Sequence, residues 1–201
     1  MKTTIILIRH GLTDWNIERR WQGHLDVSLN TQGIAQAKAL SQRLVTWPIQ
    51  ALYSSDLQRA AQTATILGEP LGLQPVLKRS WRERDVGEYQ GLTHENIKIQ
   101  YPEQFQDMSQ GNISPPGGED NQDLYARAAA AIEELVANHP GKMIAVVTHG
   151  AMLHTTILYV LGLPIEEYGR LSLSGNTGIS IVEANNGRLR LTRLNDTTHL
   201  E

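Results

Sequence analysis

Two stretches decide the fold: Ile5-Ile6-Leu7-Ile8-Arg9-His10-Gly11 near the start of the chain, and Ile144-Ala145-Val146-Val147-Thr148-His149-Gly150 far downstream. Each is a short, continuous apolar run that ends in His-Gly. Such runs mark strands covered on both faces, as in a parallel sheet with helices above and below. In open α/β sheets, ligands bind outside the carboxyl ends of the strands. If the two strands are neighbours, about 4.8 Å apart, their imidazoles share one small site. The glycine after each histidine lets the chain turn and keeps the space above the ring open. One histidine after a strand is ordinarily a satisfied structural residue. Two matching endings, one of them adjoined by Arg9, are harder to dismiss.

Outward from these runs, strand-like pieces alternate with helical patterns, which gives an α/β class with a mainly parallel sheet. Helices are expected over 31–45, from Asp56 to about Gly68 with Ser55 or Asp56 as N-cap, and over 93–100, 102–108, 119–139 and 151–161. Short strands are expected at 51–53 and 74–77. An Asn-Asn-Gly turn joins 178–183 to 188–194 as a hairpin. Without repeats, low-complexity tracts or a long linker, the chain reads as one domain, 1–201, with 92–120 as a covering segment. The strand 178–183 could lie at a sheet edge and pair across a homodimer, although nothing in the sequence compels it.

Composition narrows the chemistry. The 201 residues include no cysteine, 18 Lys+Arg against 21 Asp+Glu, and 7 histidines, for a net charge of −3. Disulfides, Cys-ligated zinc and thiolate nucleophiles are therefore excluded. No apolar run approaches the roughly 18 residues of a membrane span, and the stretch 1–20 does not read as a signal peptide. The charge offers no attraction to nucleic acid or to anionic lipid. A soluble, cytoplasmic protein is expected.

A third strand end adds to the site. Residues 51–54 lead into Ser55-Asp56-Leu57-Gln58-Arg59, which places Arg59 in the first turn of a helix, where free N–H groups and the dipole favour anions. A metal is the first rival. However, His149 and His154 lie roughly 140° apart on a helix, and Arg9 beside His10 would repel a dication. An anion is favoured, and phosphate is the anion that arginine forks match best.

The sequence Leu7-Ile8-Arg9-His10-Gly11-Leu12-Thr13-Asp14-Trp15-Asn16 resembles the signature of the histidine phosphatase superfamily, the phosphoglycerate-mutase-like fold. The resemblance continues through Arg19–Gly23, Asp26–Gly33, Ser54–Ala64, Glu83–Gly91, Pro116–Glu119 and Val147–Gly150. It implies a three-layer α/β/α architecture without cofactor or metal. It also implies that His10 is the nucleophile, and that Arg9, Arg59 and His149 complete a phosphate pocket. Asn16, Gln22 and Gly23 match further phosphate contacts or pocket wall, and Glu83 matches the proton donor of the phosphatase branch.

The chemistry fits these groups. An imidazole attacks only when neutral, and its ordinary pKa of about 6.5 makes that form common near pH 7. His149, if protonated, would add a third cation, the neighbours pushing the two histidines' pKa values apart. The expected activity is hydrolysis of a small phosphomonoester through a phosphohistidine. The substrate could be of broad-specificity, α-ribazole phosphate, or phosphoglycerate and sugar phosphate type. A phosphoglycerate mutase is the close alternative. The mutase branch typically reads Glu-Arg-His-Tyr-Gly where this chain has Glu83-Arg84-Asp85-Val86-Gly87. The covering segment also sets Lys98 alone against Glu95, Glu103, Asp107, Glu119 and Asp120, which suits a second anion poorly. A non-catalytic phospholigand-binding module is the alternative of another class. Trp21, Trp81, Tyr89, Phe105 and Met108 are candidates for an aromatic wall. His24, His94, His139, His154 and His199 are given no catalytic role.

Overall fold

The strands are β1 (Thr3–Arg9), β2 (Ala51–Ser54), β3 (Val76–Leu77), β4 (Met143–Thr148), β5 (Ile179–Asn185) and β6 (Arg188–Asp196), assembled in one sheet in the order β3-β2-β4-β1-β5-β6. The computed structural model describes residues 1–109, 111–173 and 175–201, so Gln110 of the covering segment lies outside the described residues. Strands β3, β2, β4 and β1 are mutually parallel, and β5 and β6 continue the sheet antiparallel. Strand 178–183 is therefore not an edge, as the dimer expectation supposed. It lies between β1 and β6 because the Asn186-Gly187 turn, with φ of 49° and 71°, folds β6 back along it.

Alternation along β1 divides the core into two faces. Ile5 and Leu7 join Ile144 and Val146 against α6 (Asn121–Asn138) and α7 (Gly150–Val160), through Leu124, Ile132, Met152 and Ile157. Ile6 and Ile8 join Ala145 and Val147 against α2 (Thr31–Leu44) and α3 (Gln58–Leu71), through Leu40, Leu44, Ala64 and Leu67. The result is three layers, α/β/α, with a mainly parallel central sheet. Helix α3 starts later than expected: neither Ser55 nor Asp56 is its N-cap. Leu57 holds that position without a side-chain bond, and Asp56 instead binds Arg82 at 2.7 Å. Its end is Gly72, not Gly68, and Gly72 takes the left-handed conformation (φ 66°) that a glycine C-cap allows.

The covering segment has a small core of its own. Helices α4 (His94–Gln100) and α5 (Pro102–Ser109) close over Val86, Tyr89 and Ile97, with Phe105 and Met108 packed against them. A short helix, α1 (Asp14–Ile17), follows β1 and is capped by Thr13.

The loop after β1 is pinned between α2 and α3. Gly11 N–H donates to Thr63 Oγ1 (3.0 Å) and Leu12 N–H to Gln36 Oε1 (2.9 Å). A Cβ on Gly11 would come within 2.5 Å of the Gly33 carbonyl oxygen, and one on Gly33 within 2.1 Å of that of Leu12. Gly11 is needed for this approach of two backbones as well as for room above a ring. Gly33→Ala is accordingly expected to lower stability by about 1–3 kcal/mol, read as a lower urea midpoint with unchanged m-value. An unchanged midpoint would mean that the loop yields freely.

Candidate active site

The register of β1 and β4 sets Arg9 opposite Thr148, so the next residue of each strand, His10 and His149, emerges side by side. Their ring centroids lie 5.1 Å apart. The His10 backbone is held on every side. Its N–H donates to Thr148 O (2.9 Å), its carbonyl accepts from Asn176 Nδ2 (2.9 Å), and Thr177 N–H binds the carbonyl of Arg9 (3.0 Å). His10 Nδ1 lies 2.7 Å from the Gly11 carbonyl oxygen. A carbonyl only accepts, so Nδ1 carries the proton and Nε2 keeps its lone pair. Burial first, then Arg59 and Arg9, hold the His10 pKa well below the ordinary imidazole value. The ring is therefore neutral at physiological pH.

Two guanidiniums flank it. Arg59 leaves the first turn of α3 fully buried, with NH1 donating to Leu25 O (2.9 Å) and NH2 to Gly23 O (2.8 Å). Burial brings its pKa down to about 10, against the opposing pull of Glu83 and Asp26, and the group keeps its charge. Arg9 is lowered by burial too, with Glu83 acting the other way. Among the described residues, the Nε atoms of Arg9 and Arg59 and both ring nitrogens of His149 are buried with no hydrogen-bond partner. Unpaired buried donors are costly unless something arrives to bind them. The unpaired guanidinium donors match an anion in charge and in hydrogen-bonding sense.

Glu83 sits at the N-terminus of α7. Its Oε1 accepts from Ala151 N–H (3.0 Å) and Met152 N–H (3.2 Å), which is where a helix favours negative charge. A Cβ on Gly150 would lie 3.7 Å from both the Arg9 guanidinium and the Glu83 carboxylate; the glycine leaves the space between them open. The Glu83 carbonyl accepts from Arg127 NH2 (3.2 Å) and lies 2.9 Å from His24 Nε2.

The expected site residues come together. Arg9, His10, Asn16, Gln22, Gly23, Arg59 and Glu83 line one cavity of about 480 Å³, a common size for a small-molecule site. His149 is packed behind the His10 ring and is fully buried. Asn16 uses Oδ1 to accept from Thr13 and from Asn176, which leaves its Nδ2 for the cavity.

Several expectations need correction. His149 is not set apart from His10 in charge. Burial first, then Arg59, His10 and Arg9, push its pKa well below the usual value as well, so both rings are neutral in the free protein. Of the proposed aromatic wall only Trp21 lines the cavity. Trp81 packs against α6 in the core, and Tyr89 belongs to the covering segment's own cluster. Trp15 lines the cavity in their place, together with Arg19, Arg20, Arg84, Val86, His94, Ile113 and Tyr168. The covering segment's acids do not all face a ligand: Glu119 binds Arg127 at 2.7 Å, and Asp120 caps α6. Cations from outside that segment therefore set the cavity's charge. Asn176 and Tyr168, which sequence reasoning did not place in the site, lie in the stretch between α7 and β5, Tyr168 on a short 3₁₀ turn, where no local pattern marks them. Among the described residues no group of three or more His, Asp or Glu could hold a metal ion, and no helix is long and apolar enough to cross a membrane.

Comparison with known proteins agrees with this geometry. The model of the histidine phosphatase superfamily (branch 1) matches residues 5–197. Phosphoglycerate mutase-like protein 4 of Arabidopsis thaliana is 36% identical over 98% of this chain and 86% of its own length. The metal-independent phosphoserine phosphatase of the same plant is 33% identical over 98% and 83%. Among solved structures, mycobacterial glucosyl-3-phosphoglycerate phosphatase complexed with VO3 superposes with a TM-score of 0.87 at 32% identity, covering 96% of this chain and 98% of that one.

The buried neutral histidines have a consequence for stability. Unfolding returns His10 and His149 to an ordinary pKa of about 6.5, whereas in the folded protein both lie well below it. Below about pH 6.5 the unfolded chain binds more protons, so stability falls as pH drops towards the folded values. The expected result is a Tm that declines between pH 7 and 5, and declines less steeply in His149→Asn. Equal slopes for the two proteins would contradict it.

Proposed function

The chain belongs to the histidine phosphatase superfamily, and from that premise we propose that it is a metal-independent phosphomonoester hydrolase of small phosphorylated metabolites that works through a phosphohistidine on His10. The observation that carries this reading is the tautomer of His10. Its Nδ1–H is bound to the Gly11 carbonyl, and its Nε2 is free in a cavity walled by two buried guanidiniums.

Phosphoryl transfer is governed by positioning and by stabilisation of charge on the equatorial oxygens. Arg9, Arg59 and Asn16 Nδ2 would hold those oxygens. A bound phosphoryl dianion supplies the opposite charge that lets His149 take a proton and become a further donor. Nε2 of His10 attacks phosphorus, the P–N bond forms, and the P–O bond to the alcohol breaks. Glu83, which takes up a proton as substrate binds, gives it to the leaving oxygen. Water then attacks phosphorus and loses a proton to Glu83, the P–N bond breaks, and inorganic phosphate leaves with the imidazole restored. The whole chain acts as one domain, with 92–120 covering the leaving-group side.

Arg19, Arg20 and Arg84 line the cavity beyond the phosphoryl set, which suits leaving groups that carry a carboxylate or several oxygens. Phosphoserine and glucosyl-3-phosphoglycerate, the substrates in the names of the relatives, are of this kind. We assign the enzyme to the cytoplasm. The same arginines keep a phosphoglycerate mutase as the reading to be measured against.

Turnover of p-nitrophenyl phosphate with chelator present is expected, and His10→Ala should lower it by at least about 10³-fold. Glu83→Gln should reduce kcat about 10²–10⁴-fold on an alkyl phosphate, and much less on p-nitrophenyl phosphate, whose alcohol leaves without a proton. Full activity in His10→Ala would overturn the mechanism. Isomerisation of 3-phosphoglycerate with 2,3-bisphosphoglycerate, faster than release of phosphate, would favour the mutase.

A further inference from the structure

One half-buried tyrosine at the site has no task in this scheme. Tyr168 lies on the 3₁₀ segment Ile165–Arg170 that follows α7. Buried Ile165 anchors that segment, and Tyr125 reaches the loop before it, its hydroxyl donating to Leu163 O at 3.0 Å. The Tyr168 ring stacks on His154 with centroids 3.8 Å apart and planes only 11° from parallel. His154 belongs to α7, the helix whose first N–H groups hold Glu83. One rigid helix thus positions both the carboxylate and the ring.

The chemistry of the pair is consistent with a fixed donor. Burial brings the His154 pKa down to about 4, so the ring stays neutral and stacks without charge. Burial first, then the charge of Glu83, push the Tyr168 phenol up to about 12, and the hydroxyl keeps its proton throughout the physiological range. Tyr168 lines the same cavity as Glu83, Arg84 and Ala151. Among the described residues, its hydroxyl forms no hydrogen bond within the protein. Pure packing would be served equally by phenylalanine.

We infer that Tyr168 is a specificity-determining residue whose hydroxyl donates a hydrogen bond to an oxygen of the substrate's leaving group beside Glu83, with His154 as the platform that holds it. The substrates favoured are then phosphomonoesters of alcohols that bear a further oxygen acceptor, such as a carboxylate or hydroxyl, over simple alkyl phosphates. This rests on the phosphatase reading and sharpens its substrate class.

The test compares O-phosphoserine with n-propyl phosphate, two alkyl esters that both need a proton on the leaving oxygen. In Tyr168→Phe, which keeps the stacked ring, the ratio of kcat/KM for phosphoserine to that for propyl phosphate should fall about tenfold, as for one lost hydrogen bond. His154→Ala should lower the same ratio, and His154→Phe should restore it. A ratio unchanged in Tyr168→Phe, or equal losses on both esters, would overturn the assignment while leaving the phosphatase reading in place. Wild-type enzyme that hydrolyses neither ester would contradict both.

Discussion

The parallel register that sets Ile8 beside Val147 is the constraint on which everything else depends. Side chains alternate along a strand, so a slip of one residue would exchange the two faces of β1. Ile5 and Leu7 would then meet α2 and α3, and the two fully buried layers could not both be filled. The same register brings His10 and His149 to adjacent strand ends, with Arg9 between them and α7. Core packing and site geometry are therefore one requirement. The loop after β1 shares in it, since only glycine at 11 and 33 lets that loop reach α2.

Electrostatics explains why the site is made of these groups. Burying a guanidinium costs several kcal/mol unless partners replace the lost water. The carbonyls of Gly23 and Leu25 do this in part for Arg59, and Glu83 supplies opposite charge nearby. The donors left over point to an anion that the protein itself does not provide. Several other acids are committed elsewhere: Asp56 to Arg82, Glu119 to Arg127, and Asp196 to Arg43. A net charge of −3 is thus compatible with a cationic cavity. The neutrality of both histidines follows first from their burial and then from the same crowding of positive charge, and it suits a nucleophile that must attack through a lone pair.

Much of this was legible in the sequence because it is written in local patterns. Two buried-strand runs with the same ending placed His10 and His149, and a strand followed by a helix start placed Arg59. Glu83 was different. It lies in irregular chain between a 3₁₀ turn at Trp81 and another at Gly87, and only the resemblance to a family singled it out. Tyr168, on a short 3₁₀ turn, and Asn176, which bonds the His10 carbonyl, are brought to the site by tertiary contacts alone. Trp81 misled because a tryptophan in irregular chain has no periodicity to say which way it faces; it faces α6. The charge state of His149 depends on burial beside Arg59, which no spacing reveals.

Transfer of phosphate to His10 is the step on which the reading stands. Rapid mixing with a ³²P-labelled phosphomonoester, quenched in alkaline detergent during the first turnover, tests it directly. The expected result is label on the peptide containing His10, stable in alkali, lost in acid and absent from His10→Ala. Steady release of phosphate without any such label, or label on another residue, would contradict it.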